Sequence, residues 1–217
     1  KTVHGDAFAK ETKDKVISLI REDLGQVDLV VYSVAAPRRT TADGESYTSV
    51  LKTTGESYTN KPIDLKKNTI TEVTIDPATQ EEIDATVKVM GGEDWLDWMT
   101  ALSQAGVLAP NATTVAYSYV GPELTHPMYL KGSIGCAKAH LLKTAQEMGQ
   151  HIPGVQAFVS VNKALVTQSS AAIPVVPLYI ALLYKVMKEK GLHEGCIEQM
   201  QRMYADRLAV NPVPVDE

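Results

Sequence analysis

The chain has 217 residues, 44% of them apolar, with a net charge of −5 and a pI near 5.6. That is enough apolar material for one large α/β domain, or a domain with a flap, and the acidic balance argues against nucleic acid as the main partner. Two cysteines, Cys136 and Cys196, make no disulfide framework, no apolar run approaches the roughly 20 residues of a membrane span, and no signal peptide opens the chain, so it reads as a soluble, cytoplasmic protein.

Lys1 to Ala7 lacks an initiator Met and reads like a strand end followed by a loop, as expected of an internal fragment of a longer protein. From Ala7 to Leu24, Phe8, Val16, Leu19, Ile20 and Leu24 recur at roughly helical spacing, and Gly25 supplies the stop. Val27 to Tyr32 is a nearly continuous apolar run, which predicts a parallel strand buried on both faces. Helix, short turn and buried strand make a βαβ rhythm, hence a Rossmann-like parallel sheet flanked by helices. The small residues Ser33-Val34-Ala35-Ala36-Pro37 follow at the strand's carboxyl end, where ligands lie in open parallel sheets. Tight packing against a neighbouring helix explains that stretch equally well.

Residues 38–78 are rich in Thr, Ser, Lys and Asp-Gly, with alternation around Tyr47 to Leu51 and Val73 to Ile75, and they predict an inserted β-hairpin or small flap. Pro77 is expected to open a helix from about Ala78 to Met90 with Glu81 and Glu82 in its first turn. Gly91-Gly92 ends it, and a further helix runs from Glu93 to Ala105, its Trp95 and Trp98 reading as packing anchors rather than a cofactor box. Thr113 to Tyr119 and Val155 to Val161 are the next expected strands, each followed by a loop, so that three loops would converge on one crevice. Pro174 and Pro177 break the chain before a helix over Leu178 to Lys190, and a last helix is expected from about His193 to Leu208. No Gly-rich phosphate loop, no Gly-x-Ser-x-Gly elbow and no metal spacing among the five histidines is present in these residues, so no metal is expected. His126 reads as a solvated loop histidine ahead of a substrate contact.

The stretch Tyr117 to Glu123, followed by Tyr129 and Lys138, carries the chemistry. A phenol of pKa about 10 handles protons poorly at neutral pH until a nearby cation stabilises its phenolate, and a lysine within a few ångströms does so. An unbroken helix would set Tyr129 and Lys138 on opposite faces, about 13 Å apart along the axis. Gly132 and Gly135 disfavour such a helix, and Ser133 is a reasonable N-cap for one over about Ile134 to Met148. Tyr129 is then expected in the preceding loop, folded back over the turns where Lys138 points.

Val30 to Thr40, Val89 to Trp95, Val115 to Glu123, Lys163 to Gln168 and Ile173 to Ile180 closely resemble, in order, the trans-2-enoyl-CoA reductase family, which includes the FabV-type enoyl-acyl-carrier-protein reductases. The resemblance implies a monomeric, NADH-dependent enzyme of the enlarged short-chain dehydrogenase class that reduces the double bond of a 2-enoyl thioester of coenzyme A or acyl-carrier protein. It implies Tyr129 as proton donor, Tyr119 as a contact to the substrate carbonyl, and Lys138 as a ligand of the nicotinamide ribose. It further implies Asp6 and Ala7 near the adenine, Val34 and Ala35 beside the cofactor, and Leu165, Val166 and Thr167 along the nicotinamide and pyrophosphate. Residues 1–217 would be part of a single NAD-binding catalytic domain whose Gly-rich βα unit lies upstream of residue 1 and whose chain continues past residue 217. Two alternatives stay open at this point: a folded but inert fragment serving as a binding or scaffold domain, and an alcohol or ketone dehydrogenase of the short-chain class.

Overall fold

A computed structural model of the chain describes residues 1–64, 66–165 and 173–216. The elements in chain order are α1 (Lys10–Asp23), β1 (Val27–Tyr32), β2 (Arg38–Thr40), β3 (Ser46–Thr48), β4 (Tyr58–Asn60), β5 (Ile63–Asp64), β6 (Thr69–Ile70), β7 (Val73–Ile75), α2 (Gln80–Met90), α3 (Glu93–Gln104), β8 (Leu108–Ser118), α4 (Ser133–His151), β9 (Gln156–Val161), α5 (Val176–Glu189) and α6 (Cys196–Met203). They form two compact units, Lys1–Asn60 with Glu72–Ala164, and Lys61–Thr71 with Leu165–Glu217.

In the first unit, β1, β8 and β9 pair in parallel in that order among the described residues, with Tyr32 opposite Ala116 and Ser118 opposite Val161. This is the α/β architecture expected from the sequence. Residues that share a sheet face alternate along a strand, and Val30, Tyr32, Ala116, Ala157 and Val159 all meet one helical layer. That layer supplies Ile17 of α1, Trp95, Met99 and Leu102 of α3, and Leu141, Ala145 and Met148 of α4. Each of the Ile, Leu and Met side chains among them contributes about 1.5–3 kcal/mol on leaving water. Trp95 is fully buried, and its indole N–H donates to Thr114 Oγ1 at 2.9 Å, which in turn donates to the Val30 carbonyl at 3.0 Å. It is a packing anchor, as its sequence context suggested.

Several expectations need correction. β1 is not buried on both faces: it is an edge strand of the described sheet, and Val31 on its far face is 44% exposed. β8 starts at Leu108 rather than Thr113 because Leu108 already pairs with Val27, after which a bulge intervenes and regular pairing resumes at Thr113 opposite Leu29. Thr79, not Pro77, starts α2: its hydroxyl accepts from the Glu82 N–H while the Glu82 carboxylate accepts from the Thr79 N–H, a reciprocal capping box. The presumed single flap is three separate antiparallel pairs, β2–β3, β4–β7 and β5–β6, the last within the second unit. In that unit Pro177 sits in the first turn of α5 instead of preceding it, where its missing N–H costs nothing. The last helix is shorter than expected, α6 ending at Met203 in a π-turn over Tyr204–Leu208.

Arg39 of β2 is 5% exposed, donates to the Lys88 carbonyl at 2.8 Å, and pairs with Glu93 at 3.0 Å and Asp97 at 3.3 Å. The β2–β3 hairpin is thereby fastened to the junction of α2 and α3. A more deeply buried pair ties α1 to α3: Lys13 Nζ lies 2.7 Å from Asp94 Oδ1, with side chains 10% and 2% exposed. Tyr32 donates to the other carboxylate oxygen at 3.0 Å, and burial together with the Asp94 charge holds that phenol protonated. A buried ion left without its partner costs about 3–5 kcal/mol, whereas replacing the pair by apolar residues is often neutral. Asp94→Ala is therefore expected to destabilise the chain by that amount in urea titrations, and the double change Lys13→Met with Asp94→Leu to recover most of the loss.

Candidate active site

Parallel pairing sends the carboxyl ends of β1, β8 and β9 to one edge of the sheet. The loops that leave them begin with Ser33, Tyr119 and Asn162, which are the three loops the sequence singled out. Asn162 is held to the edge by its N–H, which donates to the Ser118 carbonyl at 2.9 Å. Val34 is partly buried and Ala35 is exposed; behind them, Ser49 donates through its hydroxyl to the Ala36 carbonyl at 3.1 Å and through its N–H to the Pro37 carbonyl at 2.9 Å.

After β8 the chain passes through a 3-10 turn, Glu123–Thr125, and Tyr129 N–H donates to the Thr125 carbonyl at 2.9 Å. α4 starts only at Ser133, so Tyr129 stands outside the helix that carries Lys138. Ser133 is not the cap: Gly132 occupies that position without a side-chain bond, and Ser133 is engaged with residues 50–52. Gly135 lies within α4 and does not break it; a Cβ there would collide with the carbonyl oxygens of Tyr129 and Leu130, so its role is to admit the loop's backbone against the helix.

Tyr129 is 8% exposed and its ring meets that of Tyr119 edge to face, centroids 4.9 Å apart at 89°. Such a pair contributes about 0.5–1.5 kcal/mol beyond its buried area. Gly121 has φ +78, and a Cβ on it would strike Thr125 Oγ1 and lie 3.0 Å from the Tyr119 hydroxyl. Lys138, from the opposite side of the loop in sequence, donates to the Tyr117 carbonyl at 3.4 Å, at the end of β8. Lys138 and Tyr129 both meet the chain where β8 ends, the amine at Tyr117 in the strand and the phenol's ring at Tyr119 just past it.

The electrostatics differ from the sequence argument. Burial, and then the neighbouring Tyr119 phenol, pushes Tyr129 above its ordinary value, and burial holds Lys138 below the usual lysine range. Desolvation outweighs any acidifying effect of the ammonium on the phenol. At neutral pH Tyr129 is a protonated hydrogen-bond donor and Lys138 a partly desolvated cation with two N–H donors beyond the one it gives to Tyr117.

Asp6 is exposed and accepts from the Phe8 N–H at 3.0 Å, and the Ala7 carbonyl accepts from the Trp98 indole at 3.0 Å. Lys13 Nζ lies 5.5 Å from the centroid of that indole. Neither contact is signalled by the local sequence, because the partners lie far apart along the chain. Leu165 begins the second segment of the second unit and is partly buried, while Val166 and Thr167 lie outside the described residues. Among the described residues, no three His, Cys, Asp or Glu are placed to hold a metal ion, and no helix is long and apolar enough to cross a membrane.

The family model for the trans-2-enoyl-CoA reductase catalytic region matches residues 1–209. An enoyl-[acyl-carrier-protein] reductase [NADH] of Cytophaga hutchinsonii is 57% identical over 221 residues, covering 100% of this chain and 56% of that protein. A trans-2-enoyl-CoA reductase [NADH] of Ruminiclostridium cellulolyticum is 53% identical over 219 residues, covering 100% of this chain and 55% of that one. The crystal structure of Treponema denticola trans-2-enoyl-CoA reductase in complex with NAD superposes with a TM-score of 0.95 at 51% identity, over 100% of this chain and 55% of that chain. The chain spans about half the length of the relatives it matches. With a family model covering residues 1–209 and over half the positions identical in full-span relatives, the chain belongs to the trans-2-enoyl-CoA reductase family.

Proposed function

We propose that this chain forms the catalytic part of an NADH-dependent reductase that saturates the carbon–carbon double bond of a trans-2-enoyl thioester, carried on coenzyme A or acyl-carrier protein. The single observation that carries the reading is the buried Tyr119–Tyr129 pair at the carboxyl edge of a parallel sheet, with Lys138 anchored to the same strand end. Two relatives named for this activity with NADH, at 57% and 53% identity, support it. The enzyme acts as a monomer in the cytoplasm.

The residues at the edge fit a dinucleotide. Ala35 is small and exposed, so a ligand can approach the backbone, and Lys138 has donors left for the hydroxyls of a ribose. Asp6 and Ala7 would lie toward the adenine and Val34 beside the cofactor. When bound, NADH supplies a hydride for the β-carbon of the enoyl group. The chain's own part is to receive the charge that then builds on the thioester oxygen. The Tyr129 hydroxyl donates a hydrogen bond to that oxygen, with Tyr119 as a second donor, and in a dry site each is worth a few kcal/mol. The Tyr129 hydroxyl would then give the proton that ends on the α-carbon, completing saturation, and be reprotonated from water; a phenol that burial keeps protonated is ill suited to acting as a base. Lys138 holds the ribose and sets the positive potential at the strand end.

The reading is tested by following NADH oxidation with crotonyl-CoA against acetoacetyl-CoA, alongside a fluorescence titration with NADH alone. Oxidation with the first substrate is expected; oxidation with the second in its place would make the protein a ketone reductase, and no NADH binding would make the chain an inert scaffold. Tyr129→Phe should lower kcat by about 10²–10³ while leaving the NADH dissociation constant within a few-fold, since it removes a donor needed chiefly in the transition state. Equal loss of both would overturn the assignment. Burial holds Lys138 below 10.5, so its charge is the first of the pair to be lost as pH rises. The KM for NADH is accordingly expected to climb on the alkaline side before Tyr129 ionises, and Lys138→Ala to show a raised KM without that alkaline limb. Gly121→Ala combines a left-handed backbone position with the space under the Tyr119 hydroxyl, and should cost at least about 10-fold in kcat/KM.

A further inference from the structure

Residues 49–54 follow β3 and belong to no strand or helix, yet nearly every one is bonded to something on the site's border. At its first residue, Ser49 holds the carbonyls of Ala36 and Pro37 in the loop after β1. One residue on, the Val50 N–H donates to Thr86 Oγ1 of α2 at 3.0 Å, and the Val50 carbonyl accepts from the Ser133 hydroxyl at 2.6 Å. Lys52 N–H donates to Ser133 Oγ at 3.2 Å, and the Lys52 carbonyl accepts from the Ser133 N–H at 2.9 Å. Thr53 pairs with Gly132 on one side and Pro77 on the other, and the Thr54 hydroxyl donates to the Lys131 carbonyl at 2.6 Å. Ser133 itself is completely buried.

We infer that residues 49–54 are a strap joining the cofactor-side loop 33–37 to the Tyr129 loop, and that Ser133 is a positioning residue whose three hydrogen bonds to the strap set where Tyr129 stands. The inference rests on the enoyl-reductase reading for its catalytic consequence, and on geometry alone for its mechanical one. Ser133 is four residues after Tyr129 and five before Lys138, so a bond made there fixes the separation of the two groups from the middle. The Tyr129 loop is gripped on both sides of the tyrosine: Thr54 takes the Lys131 carbonyl, and Tyr58 of β4 donates to the Leu124 carbonyl at 2.5 Å. A chain held at Leu124, Lys131 and Ser133 has little freedom to carry its buried phenol elsewhere. Nothing in the local sequence of Thr53 and Thr54 signals this, since their partners Gly132, Lys131 and Pro77 all lie outside the segment.

Two variants test it. Ser133→Ala removes two of the three bonds, and Thr54→Val, at an exposed residue, removes one without disturbing the core. Each is expected to lower kcat by about 10-fold or more, with the KM for NADH changed less than two-fold, because displacement of a reacting group by a fraction of an ångström is felt in turnover. A second readout needs no substrate. With tyrosines labelled at the ring carbon that bears oxygen, the NMR resonance that disappears in Tyr129→Phe reports the ionisation of that phenol. In both strap variants it should titrate at lower pH than in the unaltered chain, as water enters the loosened loop. Unchanged titration together with unchanged kcat would overturn the strap. If the unaltered chain oxidised no NADH with an enoyl thioester while the titration still moved, the enoyl-reductase reading would fail and the strap would stand.

Discussion

Parallel pairing of β1, β8 and β9 is the constraint on which the rest depends. Strands that run the same way cannot be joined by a tight turn, so each must be followed by an excursion before the next begins. Between β1 and β8 that excursion includes α2 and α3, and between β8 and β9 it is α4. The excursions bury one face of the sheet under Trp95, Met99, Leu141 and Met148. They also leave every strand's carboxyl end on one edge, and it is there that Lys138 and the two tyrosines are gathered. The proposed site lies at that edge, where the loops leaving the three strands begin.

Burial acts on the phenol and the amine in opposite directions, and both effects favour the uncharged form. Tyr129 becomes a weaker acid and Lys138 a weaker base. A phenol in that condition works by hydrogen bonding to an oxygen that becomes charged, and the low dielectric that penalises its ionisation is the same property that strengthens the bond it donates. The Tyr119 ring packs edge to face against Tyr129, and Gly121 leaves the space beside the Tyr119 hydroxyl that a Cβ would crowd.

How much of this could be read from the residues alone varies with the distance over which each feature acts. The apolar runs at Val27 to Tyr32 and Val155 to Val161 signalled strands, though not the burial read from them, since Val31 and Val161 stay exposed. The helix carrying Lys138 was legible from the break at Gly132, and Tyr129 fell outside it as the spacing argument required, although Gly135 lies within it. What could not be read were features whose partners are remote. Ser133 has the character of an N-cap and is instead claimed by residues 50–52. Residues 38–78 have the turn-rich composition of a flap, but composition does not say that they divide into three antiparallel pairs or that Arg39 is drawn inward by Glu93 and Asp97. The acidifying influence expected of Lys138 also failed to emerge, because sequence spacing conveys proximity and not the desolvation that accompanies it.

Gly135 has a consequence for how this region can diverge. Its Cα rests against the carbonyls of Tyr129 and Leu130, so the contact between loop and helix is one of main chain with main chain. Any side chain at residue 135 would break it, while the contact itself asks nothing of the side chains of residues 130 and 131. Lengthening or shortening the link between residues 130 and 132 would lift those carbonyls off the helix, whereas the outward-facing side chains of Leu130 and Lys131 take no part in the contact. Related chains should therefore tolerate varied chemistry at those two positions while permitting no insertion beside them.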